Sequence, residues 1–368
     1  MKKIIIKKLK QLFKQAGYSL YKIIYGRVKG IISSESDTRI KEKKVQFSKN
    51  FSYRIFNTHK ARLYTDTINN LGIILDNKLI EGPSFQLINN KNVNIKENFV
   101  FKNGTPRIKR KLSGGVFVLL TGGAGNENYW HWLFDVLPRL EILKKNEDIN
   151  KVDYFLFPDI KQKFQVESLN ALNIPKSKRL SSKKYRHLEA DNIIVVDHPY
   201  VLKNNPSHEI QNLPAWITKW LRDTFLSKIE SDQNNLPKKF YIDRSDSISN
   251  LRHTRKITNE EEVKNLLIKN GFSIITLSNL SFVKQISLFK NATHIVGLHG
   301  AAFANTIFCD PGTLVVEIKP STAGQVIENL AKKNNLIYKS ISIVPHKHAY
   351  NNQQGLIETP LEILKKII

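Results

Sequence analysis

The chain has 368 residues, 41% hydrophobic, 10% aromatic and 24% charged, a length that exceeds one ordinary core and predicts two domains, and a composition that excludes general disorder. Fifty-eight Lys and Arg against 32 Asp and Glu give a formal net charge of +26, which draws polyanions of every kind: nucleic acid, acidic lipid, anionic polysaccharide or sugar nucleotides. The single cysteine, Cys309, excludes an internal disulfide and a thiolate zinc cluster and fits a reducing compartment, the cytoplasm best of all.

Residues 1–30 carry nine basic side chains and no acid, interleaved with Ile4, Ile5, Ile6, Leu9, Leu12, Phe13, Leu20, Ile23 and Ile24. Lys7, Lys8, Lys10 and Lys14 break the apolar run before it reaches the length of a signal peptide or spanning helix. Two readings stand: a basic amphipathic stretch lying on an anionic membrane, peripheral to the inner face of the cell, or a solvated tail. The polar stretch Ser33–Lys49 reads as a linker, which makes 1–49 a leader and linker.

A first α/β domain is expected over 50–230. It opens with short antiparallel strands at Ala61–Ile68, Leu71–Leu75 and Leu79–Ile80. From Val116–Leu120 the rhythm becomes strand, glycine loop (Gly122–Gly125) and helix, with helical spacing over Asn128–Lys145 interrupted at Pro138. Tyr154–Phe157 and Ile193–Val196 continue the layers. Ser227–Lys239, rich in polar residues and ending near Pro237, reads as the interdomain connection.

A second domain is expected over 238–345. Phe240–Ile242 is a strand; Thr258–Glu261 has the spacing of a capping box opening a helix that Gly271 closes; Phe272–Leu277 is a strand. Helix Ser281–Lys290, strand Thr293–Leu298, a helix start at Ala301–Ile307 and strand Leu314–Ile318 follow. Strict alternation with short connections predicts a doubly wound parallel sheet covered on both faces. The tail 346–368 is expected to end in a helix over Leu356–Ile368 that packs back on the domain junction.

Four segments carry chemistry. On a helix, His131 and Asp135 share a face, and an Asp that fixes and charges an imidazole makes it a better base near neutral pH; the same spacing also suits a buried pair that ties a helix to its loop. Tyr129, Trp130 and Trp132 offer rings for sugar stacking, although aromatics this dense are more often core. His299–Gly300–Ala301, between a strand and a helix start, aims backbone N–H groups at the position where diphosphates bind. Arg244, after Tyr241–Ile242–Asp243, and Arg252 and Arg255 suit bidentate phosphate recognition. Glu317 reads as a strand-end carboxylate for ribose hydroxyls. No D-x-D triple occurs to hold a divalent ion against a diphosphate. His346 and His348 lack a third ligand nearby.

Read in order, these blocks resemble glycosyltransferase family 61, which includes capsular-polysaccharide biosynthesis proteins. The matching residues are Asn128–Trp132 with Asp135, Leu137, Pro138 and Arg139; Tyr241–Arg244; Arg255–Ile257 with Asn259 and Glu260; and Gly297–Ala301 through Pro311–Thr313 to Glu317. They span residues 128–317. Asp243 stands where a small residue is expected, and Lys256 where the second arginine of a pair is common.

The resemblance implies a GT-B-like fold of two Rossmann-like domains facing a cleft, with an inverting mechanism and neither metal nor cofactor. It implies a nucleoside-diphosphate sugar as donor and a glycan or lipid-linked glycan as acceptor, in capsular or other surface polysaccharide synthesis. Arg244, Arg255, His299, Gly300, Ala301 and Glu317 would then bind the donor, Asn128, Tyr129, Trp132 and Arg139 would line the acceptor side, and His131 or Asp135 would take the proton, His131 assisted by Asp135 being favoured. The rival class is a non-catalytic basic polyanion-binding protein. Its nucleic-acid form expects a basic surface with aromatic platforms, whereas the basic residues here are spread widely, and no nucleic-acid partner is expected.

Overall fold

The structure, a computed structural model, describes residues 2–48, 51–89, 91–120, 127–146, 149–203, 205–229, 236–246, 255–346 and 353–368. The glycine loop 122–125, Arg252 and His348 lie outside the described residues. By internal contacts the chain forms two compact units: Met1–Lys161 with Ile174–Glu209, and Gln162–Asn173 with Ile210–Ile368. The helix Ala215–Leu226 belongs to the second unit.

The first unit starts with a helix, Lys2–Tyr25. Twelve strands follow: β1 Ile31–Ile32, β2 Ile40–Ser48, β3 Phe51–His59, β4 Arg62–Thr65, β5 Asn70–Leu75, β6 Lys78–Ile80, β7 Phe85–Ile88, β8 Lys91–Asn92, β9 Arg110–Val118, β10 Tyr154–Phe157, β11 Arg179–Ser181 and β12 His187–Val196. They form one mixed sheet with the main order β1-β6-β5-β4-β12-β9-β10-β11. The antiparallel opening is as the sequence reads. The expected linker is not: Ile40–Ser48 pairs along most of its length with β3, from Ile40 opposite Thr58 to Ser48 opposite Phe51. Its Lys41, Lys43 and Lys44 are exposed, the pattern by which an edge strand discourages further pairing, so high charge here marks an edge and not a linker.

Strands β9 to β12 are mutually parallel in the order β11-β10-β9-β12. The chain moves outward from β9 through β10 to β11 and then returns to the other flank of β9. The order reverses between β9 and β12, and side chains beyond the carboxyl ends of those two strands meet at a switch point. The core beneath is built from alternating apolar positions, among them Val116, Val118, Leu156, Leu188, Ile193 and Val195.

The second unit holds a wholly parallel sheet: β13 Lys239–Asp243, β15 Ser273–Thr276, β16 His294–Leu298, β17 Leu314–Pro320 and β18 Ile337–Ile343, in the order β15-β13-β16-β17-β18. β13, β16 and the start of β17 are largely apolar and buried, as strands covered on both faces are, whereas the edge strand β18 alternates apolar and polar residues and is mostly exposed or half-buried. Tyr241, Val296, Val316 and Ile318 pack on one side with Val263 and Leu267 of the helix Glu260–Lys269. On the other, Phe240 meets Phe289 of the helix Phe282–Lys290 edge-on at 5.2 Å. This sheet reverses between β13 and β16.

Three local expectations change. The capping box at Thr258 does not form: the Asn259 cap makes no side-chain bond to its own helix, because its amide bridges both ways to Thr359 at 2.9 Å while the Thr258 hydroxyl donates to Ile357 O. A small two-stranded pair, β14 Lys256–Ile257 with β19 Leu356–Ile357, accounts for this competition. The tail therefore begins as a strand before its helix Leu361–Ile367, and that helix packs Leu361, Leu364 and Ile367 on the second unit's core. The run Ala301–Phe308 is a 3-10 helix, tighter than the α-helix expected. Gly271, at φ +78°, does close its helix.

Candidate active site

In the first unit the polar cluster lies beyond the ends of β9 and β12. Asn128 caps the helix Tyr129–His131, its side chain accepting from Trp130 N at 2.8 Å. The next turn, Trp132–Val136, is a π-turn in which Leu137 N donates to Trp132 O at 3.1 Å. Pro138 explains it: proline offers no N–H and its ring crowds the carbonyl four residues back, so the ladder widens by one residue and a fresh helix, Pro138–Lys144, starts on the proline. Across this turn His131 Nδ1 meets Asp135 Oδ2 at 2.8 Å.

Asp135 is buried and serves a second imidazole. His198 Nε2 stands 3.7 Å from the same Oδ2. Its Nδ1 accepts from the backbone N–H groups of Tyr200 and Val201 at 3.3 and 3.1 Å. A ring nitrogen that accepts carries no proton, so the His198 proton sits on Nε2, toward Asp135. Burial drives the His198 pKa below its ordinary value against the pull of Asp135. Burial also works to raise Asp135, yet His131, with His198 behind it, holds that carboxyl well below the usual range. For His131 burial is again the largest influence and opposes charge, but the Asp135 carboxylate outweighs it and the pKa is raised. The outcome is an anionic Asp135 and an accessible His131 whose Nδ1–H is held by it, leaving Nε2 as the basic atom.

The remaining residues expected on the acceptor side fare differently. Trp132 is 1% exposed with its ring 5.8 Å from Phe157, which makes it core. Arg139 is buried, its Nε donating to Asp135 O at 3.1 Å and its Nη1 to Val196 O at 2.9 Å; it braces the π-turn against the end of β12. Asn128 is spent on the cap. Tyr129, at the first helical position, is half-buried. Sequence reading missed His198 and Tyr200, two and four residues past Val196, whose signal was a histidine and a tyrosine just beyond the apolar end of a strand. Burial, then the Asp135 charge, pushes the Tyr200 phenol well above its ordinary pKa.

In the second unit the cluster lies beyond β13 and β16, again at the reversal of strand order. Arg244 follows β13, and its Nη1 donates to the His299 carbonyl at 2.9 Å. Arg255 Nη1 donates to the same oxygen. A Cβ on Gly300 would come within 3.3 Å of the Arg244 Nη1, so a small residue there lets the guanidinium lie flat on the backbone. Among the described residues no carboxylate is ion-paired with either arginine, and Arg255 Nε is buried without a hydrogen-bond partner. Burial, with the Arg244 charge next, pushes the Arg255 pKa down to about 9. Burial likewise lowers Arg244.

Glu317 is not at a strand end and does not face outward. It lies mid-strand opposite Gly297, fully buried, with one carboxylate oxygen on His299 Nδ1 and the other accepting from the Tyr338 hydroxyl. It positions the His299 ring. The His299 N–H, expected to face an anion, donates to Ile318 O at 2.8 Å. Asp243 is engaged by Ser245, Thr276 and Lys264. The described geometry thus brings Arg244, Arg255, His299, Gly300 and Glu317 into one cluster, and His131 and Asp135 into another.

The chain is a mixed α/β protein in which each unit gathers polar groups beyond the ends of parallel strands, where its strand order reverses. The family model for Glycosyltransferase 61 matches residues 129–316, just over half of the chain. The chain belongs to glycosyltransferase family 61. It is also similar to the xylan glycosyltransferase MUCI21 of Arabidopsis thaliana, 27% identical over 124 residues, which is 31% of this chain and 25% of that protein; the match spans about a quarter of the length of that relative.

Proposed function

We propose that this chain is an inverting, metal-independent glycosyltransferase of GT-B type that moves a sugar from a nucleoside-diphosphate sugar to a hydroxyl of a glycan acceptor, in capsular or other surface polysaccharide synthesis. The observation that carries the reading is the pair Arg244 and Arg255. Two half-buried guanidiniums converge on one carbonyl with no ion-paired carboxylate among the described residues, a costly arrangement for the protein alone. A diphosphate relieves it. The open Nε of Arg255 gives that anion a donor in fork geometry.

Transfer breaks the bond between the anomeric carbon and the diphosphate oxygen and forms one to the acceptor oxygen from the opposite face. Negative charge grows on the departing diphosphate, where the arginines stabilise it in place of a cation. The acceptor proton goes to His131 Nε2. Asp135 stays ionised, orienting the ring and balancing the imidazolium, so of the two candidates His131 is the base. The Gly300 and Ala301 amides remain available to the phosphates, His299 being placed by Glu317.

The test is a panel of nucleotide sugars offered to the purified chain with glycan acceptors, with uridine, guanosine, cytidine and thymidine diphosphates screened by thermal shift. Binding of a nucleoside diphosphate and transfer that survives chelator are expected. No stabilisation by any of the four, or activity lost to chelator and restored by manganese, refutes the reading.

A further inference from the structure

The last turns of the helix Lys2–Tyr25 turn Tyr18, Lys22 and Tyr25 to the protein and Leu20, Ile23 and Ile24 to solvent. Lys22 Nζ donates to Lys102 O at 2.6 Å, and the Tyr18 ring lies edge-on to Phe99 at 6.4 Å. Tyr25 is the firmest anchor: its hydroxyl accepts from Lys109 N at 3.0 Å, its carbonyl accepts from Arg62 at 3.2 Å, and its ring meets His187 edge-on at 4.8 Å. At about 100° per residue, positions 18, 22 and 25 lie on one side. Leu20, Ile23 and Ile24 lie on the other, where they are 55%, 81% and 57% exposed, and Ile6 on the same face is 51% exposed.

We propose that this face docks on an anionic lipid bilayer, the helix lying in the headgroup plane. Hydrophobic side chains exposed in a row are costly in water and gain about 25 cal/mol per Å² on burial. The occupant is chosen by charge. Nine basic residues and no acid fall in the first thirty, so a second copy of the chain would bring like charge against like, whereas acidic headgroups meet it with the opposite sign. Among the described residues no helix is long and apolar enough to cross a membrane, which makes the contact a surface one. Because Tyr25 and Lys22 clamp the helix to the first unit, docking fixes that unit's orientation to the membrane.

The experiment is co-sedimentation of the full chain with vesicles of phosphatidylcholine alone and of phosphatidylcholine with phosphatidylglycerol. Anionic vesicles should capture the protein, and the neutral ones at least about tenfold less. The triple variant Leu20→Ser, Ile23→Asp, Ile24→Asp and the double variant Lys7→Glu, Lys10→Glu should each weaken partitioning about tenfold or more, with melting temperatures close to that of the parent because the altered apolar positions are exposed. Equal capture by neutral and anionic vesicles overturns the proposal whatever the variants do. So does a parent that fails to bind vesicles but is a dimer dissociated by the triple variant, which would assign the face to a second copy.

Discussion

Replacing Arg255 by methionine removes one of two crowded positive charges while keeping much of the side chain's bulk, and it separates a site built for an anion from a merely structural arginine. In the free protein the charged guanidinium is disfavoured, its pKa pushed down to about 9. At roughly 1.4 kcal/mol per pH unit, and discounted for the solvent reaching its partly exposed side chain, that is on the order of 2–4 kcal/mol recovered by the substitution. Loss of the bond to the His299 carbonyl costs about 1.5–3 kcal/mol. The two nearly cancel, so free Arg255→Met protein should melt close to the parent. A diphosphate, by contrast, loses a charge-assisted contact and binds about ten- to a hundredfold more weakly. The assay is a thermal-shift titration with the tightest of the four nucleoside diphosphates. At a concentration stabilising the parent by about 2.7 kcal/mol, the variant should keep only about 0.4–1.4 kcal/mol. A variant that melts far below the parent yet keeps the full ligand shift refutes the reasoning.

Other consequences follow from the same geometry. His131→Ala should lower the transfer rate by about 10²–10⁴-fold with the nucleotide-induced thermal shift intact; a loss of nucleotide binding instead would place His131 outside the base role. The raised His131 pKa sets the acid limb of the rate profile above pH 6.5, and Asp135→Asn, removing the charge that raises it, should slow turnover and move that limb to lower pH; an unmoved limb assigns the titration elsewhere. Glu317→Ala leaves the Tyr338 hydroxyl and His299 Nδ1 without their acceptor inside the protein and should cost about 3–5 kcal/mol in a urea melt, a loss under about 1 kcal/mol counting against the buried network. Gly300→Ala should leave stability almost untouched, since φ 171° suits any residue, yet displace the Arg244 guanidinium at 3.3 Å and weaken donor affinity; unchanged affinity means the guanidinium does not need that position.

The sequence by itself located β13, β15, β16 and β17 and the helices Glu260–Lys269 and Phe282–Lys290 of the second unit, because these are apolar runs and helix-forming stretches set off by glycine and polar turns, whereas β18, the helix Val326–Lys333 and the pair β14 and β19 carry no such local mark. It also determined that His131 and Asp135 share a face, since helical periodicity places residues four apart together, and it gave the order of blocks that marks the family. Tertiary structure decided the rest. Ser33–Lys49 looked like a linker because charge is read locally, while its pairing partner, β3, becomes adjacent only in the folded sheet. Thr258 and Asn259 had the signature of a cap and were claimed by Thr359 and Ile357, about a hundred residues away. His198 joined Asp135 because the ends of strands distant along the chain lie side by side where the order reverses, and Glu317 meets His299 and Tyr338 because β16 and β18 flank β17 in the folded sheet. Hydrogen-bonding partners are chosen by proximity in space, and burial sets the charge each group carries; neither can be read from neighbours along the chain.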